Sequence, residues 1–197
     1  MPTLSIAQDD AADELLSRDP LALLLGMLLD QQFPMERAFA APRLLADRLG
    51  VDTLSAADLA GCDPEVLQRH FQGPPALHRY PGSMAARAQD LARLLVERYD
   101  GRAEALWSDV PDGATLLRRL GELPGFGAQK SKIFLALLGK QYGVTPPGWR
   151  AAAGDYGAEG SRRSVADITG PASLAEVRAT KQQLKQAAKE AAAASPG

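Results

Sequence analysis

Between Leu116 and Gly139 the chain reads LLRRLGELPGFGAQKSKIFLALLG, two helix-forming stretches separated by the break Leu123-Pro124-Gly125-Phe126-Gly127, and no other stretch constrains the fold as strongly. Pro124 cannot continue the first helix, and Gly125 and Gly127 tolerate left-handed or crowded backbone, so the chain can reverse tightly there. Ile133, Phe134, Leu137 and Leu138 then recur at helical spacing and give the second helix one face to dock on a core. A helical hairpin follows, its first helix running from Ala114 to Gly121. With no side chains at the two glycines a bulky anion can approach the backbone, and the next helix begins with unpaired N–H groups and a positive dipole end. Lys130 and Lys132 add charge to the same turn, which makes a seat for phosphate. An ordinary hairpin of a helical bundle has the same outline.

This break, followed by a lysine-bearing amphipathic helix, resembles the LPGxG hairpin of the helix-hairpin-helix DNA glycosylase superfamily (HhH-GPD), which includes endonuclease III and the alkyl-base and adenine glycosylases. Two more stretches match in the same order. Leu23 to Gln32, LLLGMLLDQQ, is similar to the family's early helix ending in a glutamine, and Ser83 to Gly101, SMAARAQDLARLLVERYDG, to its helix before the hairpin. The likeness spans roughly residues 15 to 145. It implies an all-α fold of two helical lobes around a cleft in a single domain over residues 1–197, one lobe mainly 21–112 and the hairpin lobe mainly 1–20 and 113–197. It also implies double-stranded DNA as partner. One strand would be gripped by the backbone at Leu123, Gly125, Phe126 and Gly127, with Gln129, Lys130 and Lys132 alongside. Gln31 or Gln32 would enter the duplex, where a glutamine can hydrogen-bond the edges orphaned by an extruded base.

Composition sets the outer limits. At 197 residues and 46% hydrophobic, with no long Gly/Ser or Pro tract inside, the chain can bury a sound core. No apolar run of about 18 residues exists to span a bilayer, and acids rather than a basic and then apolar signal mark the first residues. We therefore expect a cytoplasmic, nucleoid-associated monomer with no membrane contact. The single cysteine, Cys62, excludes an intrachain disulfide and the four-cysteine iron–sulfur cluster of endonuclease III-like proteins, which leaves it a packing role. His70 and His78 have no cysteine or carboxylate pairs at ligand spacing, so no metal or other cofactor is expected and both are read as surface or packing residues. The net charge of −2 is poor for a DNA binder. Its distribution is better: from Gly121 onward ten basic residues stand against six acids, +4 against −6 for the rest. Such asymmetry orients a protein on a polyanion, although a solvated helix face produces the same count.

In chain order, Asp9 and Asp10 cap a helix through Arg18, and Asp19-Pro20 starts another, strongly apolar over 21–32, with Leu21, Leu24, Leu25, Leu28 and Leu29 at buried-stripe spacing before Asp30-Gln31-Gln32. Helices are expected over Met35 to Leu49, Ser55 to Ala60, Asp63 to Phe71 and, capped by Ser83, to Tyr99. After the hairpin the resemblance implies a catalytic aspartate beyond a Gly/Pro loop, steadying the positive sugar as the base leaves. The window Gly143-Val144-Thr145-Pro146-Pro147-Gly148-Trp149-Arg150 has the loop and lacks the aspartate. Of the later acids Asp155 and Asp167, the candidate is Asp167, which precedes the last helix as the family's aspartate precedes its own; a helix-start role is the alternative. The family's Schiff-base lysine aligns with Gln129, so strand cleavage is not expected, while Lys130, one place on, is a second catalytic candidate or a phosphate contact. Pro171 to Ala194 is an alanine-rich helix with Arg178, Lys181, Lys185 and Lys189 along one side. The expected function is base-excision-type DNA repair, as a monofunctional glycosylase or as a DNA-binding or damage-sensing scaffold without chemistry.

Overall fold

Short acids, prolines and glycines mark almost every turn in the computed structural model, which describes residues 2–194. Among these residues ten α-helices follow in order: α1 Asp10–Arg18, α2 Pro20–Leu29, α3 Met35–Leu49, α4 Ala56–Gly61, α5 Pro64–Gln72, α6 Pro81–Tyr99, α7 Gly113–Gly121, α8 Ala128–Gln141, α9 Trp149–Ala153 and α10 Pro171–Ala194. Single 3-10 turns lie at Ala103–Leu106, Gly154–Tyr156 and Val165–Asp167, and no strand occurs among the described residues, so the fold is all-α.

The helix starts follow from capping chemistry. A side-chain oxygen at the position before a helix accepts one of the N–H groups that its first turn leaves orphaned. Asp9 accepts from Ala12 N at 2.9 Å, Ser55 from Asp58 N at 3.2 Å, Asp63 from Glu65 N at 2.9 Å and Asp112 from Thr115 N at 2.7 Å. Asp19 caps α2 through Leu21 N and Ala22 N, and its other oxygen accepts from Leu54 N at 2.8 Å, tying α2 to the loop before α4.

α2 is the spine. Leu21 through Leu29 are all buried, which is why its apolar residues run around the whole helix rather than along one stripe. It packs chiefly on α3, while α4 and α5 cover α6, and α7, α8, α9 and the Val165–Asp167 turn form the remaining group. The Ala103–Leu106 turn touches α2, α6 and α7, and the Trp107 ring that follows it packs on the α8 group, 6.2 Å from Phe134 and 6.1 Å from Tyr142. α10 is anchored through buried Leu174 and Val177.

Two expectations are corrected. α2 ends at Leu29 rather than residue 32, because Gln32 takes a positive φ of 51° and Pro34 follows. α6 starts two residues before Ser83, at Pro81, whose ring pre-sets helical φ. α1 packs on α2 and α3, and Asp13 holds the preceding segment by accepting from Ile6 N and Ala7 N at 2.8 and 2.7 Å.

Candidate nucleic-acid interface

The α7–α8 connection puts its backbone outside and its large side chains inside. Gly125, Gly127, Ala128 and Gln129 are exposed, whereas Leu123 and Phe126 are only 3% and 5% exposed. Phe126 packs edge-on to Phe134 with ring centroids 5.8 Å apart. The side chains of Leu123 and Phe126 clamp the turn to the core and leave only its backbone for a ligand. Gly127 occupies the cap position of α8 in extended conformation, with no side chain capping the helix and open space where a Cβ would stand. The first N–H groups of α8 thus face solvent at the positive end of a fourteen-residue helix. Gly125 is required for a different reason. Its φ is +79°, and a Cβ there would lie 2.5 Å from Leu28 Cδ1, so the turn presses directly on the last turn of α2.

Lys130 seals that contact. Its Nζ donates to Leu28 O at 2.9 Å and lies 5.8 Å from the centre of the Phe126 ring. A cation on a carbonyl of the last turn also suits the negative end of α2. Burial pushes the Lys130 amine down to about 8, the nearby Arg87 charge acting the same way and Asp30 opposing it. Asp30, the residue that ends α2, is raised above the ordinary carboxylate value by loss of water, against the pull of Lys181 and Lys130. Lys130 of α8 and Arg87 of α6 bond the end of α2 and the segment after it, and Lys181 of α10 adds charge within electrostatic reach of Asp30.

The polar group after α2 is held with some care. His78, 1% exposed, accepts from Tyr80 N through Nδ1 at 3.0 Å, which leaves the proton on Nε2 to be donated to Gln31 O at 2.9 Å. Phe33 packs beside the imidazole at 4.8 Å, and burial lowers the His78 pKa. His78 is therefore a packing residue, not a surface one. The Gln31 side chain is tied back, donating to Leu28 O at 2.8 Å and accepting from Arg87 at 3.2 Å. Gln32, exposed and at positive φ, is the glutamine that projects from the body. Gln129 donates to Tyr156 Oη at 2.8 Å, and Lys132 is exposed one turn along the same helix.

Asp167 does not join this seam. Its side chain, 2% exposed, pairs with Lys140 Nζ at 2.5 Å through one oxygen and accepts from Arg163 N at 2.9 Å and Ser164 N at 3.2 Å through the other, completing a reciprocal cap with Ser164. Lys140 stands thirteen residues beyond Gly127, about 20 Å away at the helical rise. The carboxylate pins the Ser161–Ile168 segment to the far end of α8. Asp155, the other acid, pairs with Arg163 at 2.9 Å. After the Gly/Pro loop the chain enters α9, where Trp149 is buried.

Sequence reasoning missed three contributors. Asp30 stood in plain view as the residue before Gln31 but was read only as part of a polar helix end. Arg87 and Lys181 lie on helices remote in sequence, and nothing in their local pattern points at the hairpin.

What fold and site define is an all-helical protein with an exposed, uncapped helix–loop–helix corner beside a half-buried lysine and carboxylate. No protein-family model, no curated protein and no solved structure matches the chain. Among the described residues no helix is long and apolar enough to cross a membrane.

Proposed function

We propose that this protein binds double-stranded DNA at the α7–α8 corner, as a cytoplasmic monomer, and hydrolyses the N-glycosidic bond of a damaged base. The observation that carries this reading is the corner itself: two exposed glycines and an uncapped helix start, held by Gly125 and Lys130 against the end of α2. Bare amides there suit a strand's phosphate oxygens. The helices form two lobes, and the strand lies across the closed seam where the hairpin meets the end of α2. Gln32 fills the space of the extruded base, and Lys132 and Arg87 flank the backbone.

Asp30 replaces Asp167 as the carboxylate of the reaction. As the bond from sugar carbon to base nitrogen breaks, its electron pair leaves with the base, and the positive charge left on the sugar is steadied by the carboxylate across a water-poor gap. Water then adds to that carbon, and its proton passes to Asp30. Lys130 favours the ionised form of the carboxylate. The rate accordingly rises with pH as Asp30 loses its proton, above the ordinary carboxylate range.

The test is incubation with duplexes carrying uracil, hypoxanthine, alkylated or oxidised bases, scored as alkali-labile abasic sites. Product is expected from at least one of them, and Asp30→Asn lowers its single-turnover rate by about a hundredfold or more while duplex affinity persists. One observation favours a second reading, a damage-sensing scaffold without chemistry: Asp167, the acid expected in the catalytic role, is fully engaged elsewhere. Binding without abasic product on any of these duplexes would establish it.

A further inference from the structure

The last helix leaves the body halfway along its length. Leu174 and Val177 are buried and Arg178 pairs with Glu36 at the start of α3, but every residue from Lys181 to Ala193 is exposed. At the helical rise this part reaches about 18 Å into solvent. An alanine-rich helix of that length gains little from packing when nothing covers it, so its surface composition decides its partner. Lys181, Lys185 and Lys189 recur every fourth residue on one face, and among the described residues none of them is joined to a carboxylate by an ion pair. The acids nearby are already occupied: Glu176 pairs with Arg162, and Glu190 accepts from Gln186 at 2.7 Å. At the base of the arm Lys181 is within electrostatic reach of Asp30.

We infer that this half of α10 is a basic arm that lies along the phosphate backbone of duplex DNA flanking the stretch held by the α7–α8 corner. The inference rests on the DNA-binding reading above and extends it to a second, sequence-independent contact. Charge complementarity selects this occupant. Glutamines 182, 183 and 186 surround the lysines with further hydrogen-bond donors, whereas Leu184 is the one large apolar residue exposed on the arm, too little to bury in a lipid surface or a protein groove.

The experiment measures binding of the full chain to a fluorescein-labelled undamaged 20-base-pair duplex across a series of potassium chloride concentrations, comparing wild type with the triple variant Lys181→Gln, Lys185→Gln, Lys189→Gln and with the triple Lys→Arg variant. Each phosphate contact contributes about 0.9 to the slope of log affinity against log salt, so the glutamine variant should lose about 2 to 3 from that slope, the arginine variant should keep it, and melting temperatures should agree. An unchanged slope in the glutamine variant, with wild type binding normally, overturns the arm and leaves the corner standing. No binding by wild type at low salt overturns the DNA-binding reading and the arm with it.

Discussion

Gly127→Asp is expected to abolish most duplex binding while leaving the protein as stable as before or slightly more so. Gly127 sits in extended backbone at the cap of α8 with nothing within 4 Å of its Cβ direction, so an aspartate fits without strain. Its carboxylate would accept from the first-turn N–H groups, as Asp9, Asp63 and Asp112 do elsewhere in the chain. Aspartate is a slightly better cap than glycine and also suits the helix dipole, worth together about 0.5 kcal/mol, or roughly 1–2 °C in melting temperature for a chain of this size. Occupying those amides with a negative charge removes the phosphate seat and repels the strand, which should weaken duplex affinity by about tenfold to a hundredfold. The two readouts move apart. A variant that lost binding by unfolding would show the opposite pattern in melting temperature, and a variant that kept full affinity would show that α8 does not meet the phosphate.

Asp167→Ala should be among the most destabilising single substitutions of a polar residue in the hairpin group. The carboxylate is nearly inaccessible and serves Lys140, two backbone amides and a reciprocal cap, so its removal leaves Lys140 without its counter-charge and two N–H groups without acceptors. Breaking one side of such a pair costs about 3 kcal/mol, which corresponds to a fall of roughly 6–12 °C in melting temperature. Asp167→Asn keeps an oxygen for the amides and loses only the ionic part, so it should fall about half as far. Both variants, once folded, should keep the wild-type rate of base removal. Thermal unfolding followed by circular dichroism, with single-turnover rates below the transition, separates this structural role from a catalytic one: unchanged stability with a lost rate would return Asp167 to the reaction.

Most of the helices were legible because their signals are local. Asp19-Pro20 and Asp63-Pro64 each combine an acceptor with the residue that begins a helix, and the structure starts α2 and α5 there. Ser83 was misleading for an equally local reason, because Pro81 begins the helix first and leaves the serine inside the opening turn. The helix–break–helix order around Pro124 was readable, as was the exposure of its glycines, since backbone alone makes that turn. What the sequence hid was everything set by packing between remote elements. Phe126 and Leu123 look like loop residues until their burial against the core is seen, and Lys130 looks like one more surface lysine until its amine is found on Leu28 O. Asp167 was drawn toward catalysis by its place before the last helix, when the decisive fact is a lysine twenty-seven residues earlier in the chain.

Backbone amide chemical shifts during titration with a short undamaged duplex test the phosphate seat most directly. Saturable changes should be largest at Gly125 through Gln129, with smaller ones at Asp30 through Gln32, and they should shrink as salt is raised. Shifts that leave Gly125 to Gln129 unmoved while another face responds, or no response at low salt, would contradict the assignment of this corner to DNA.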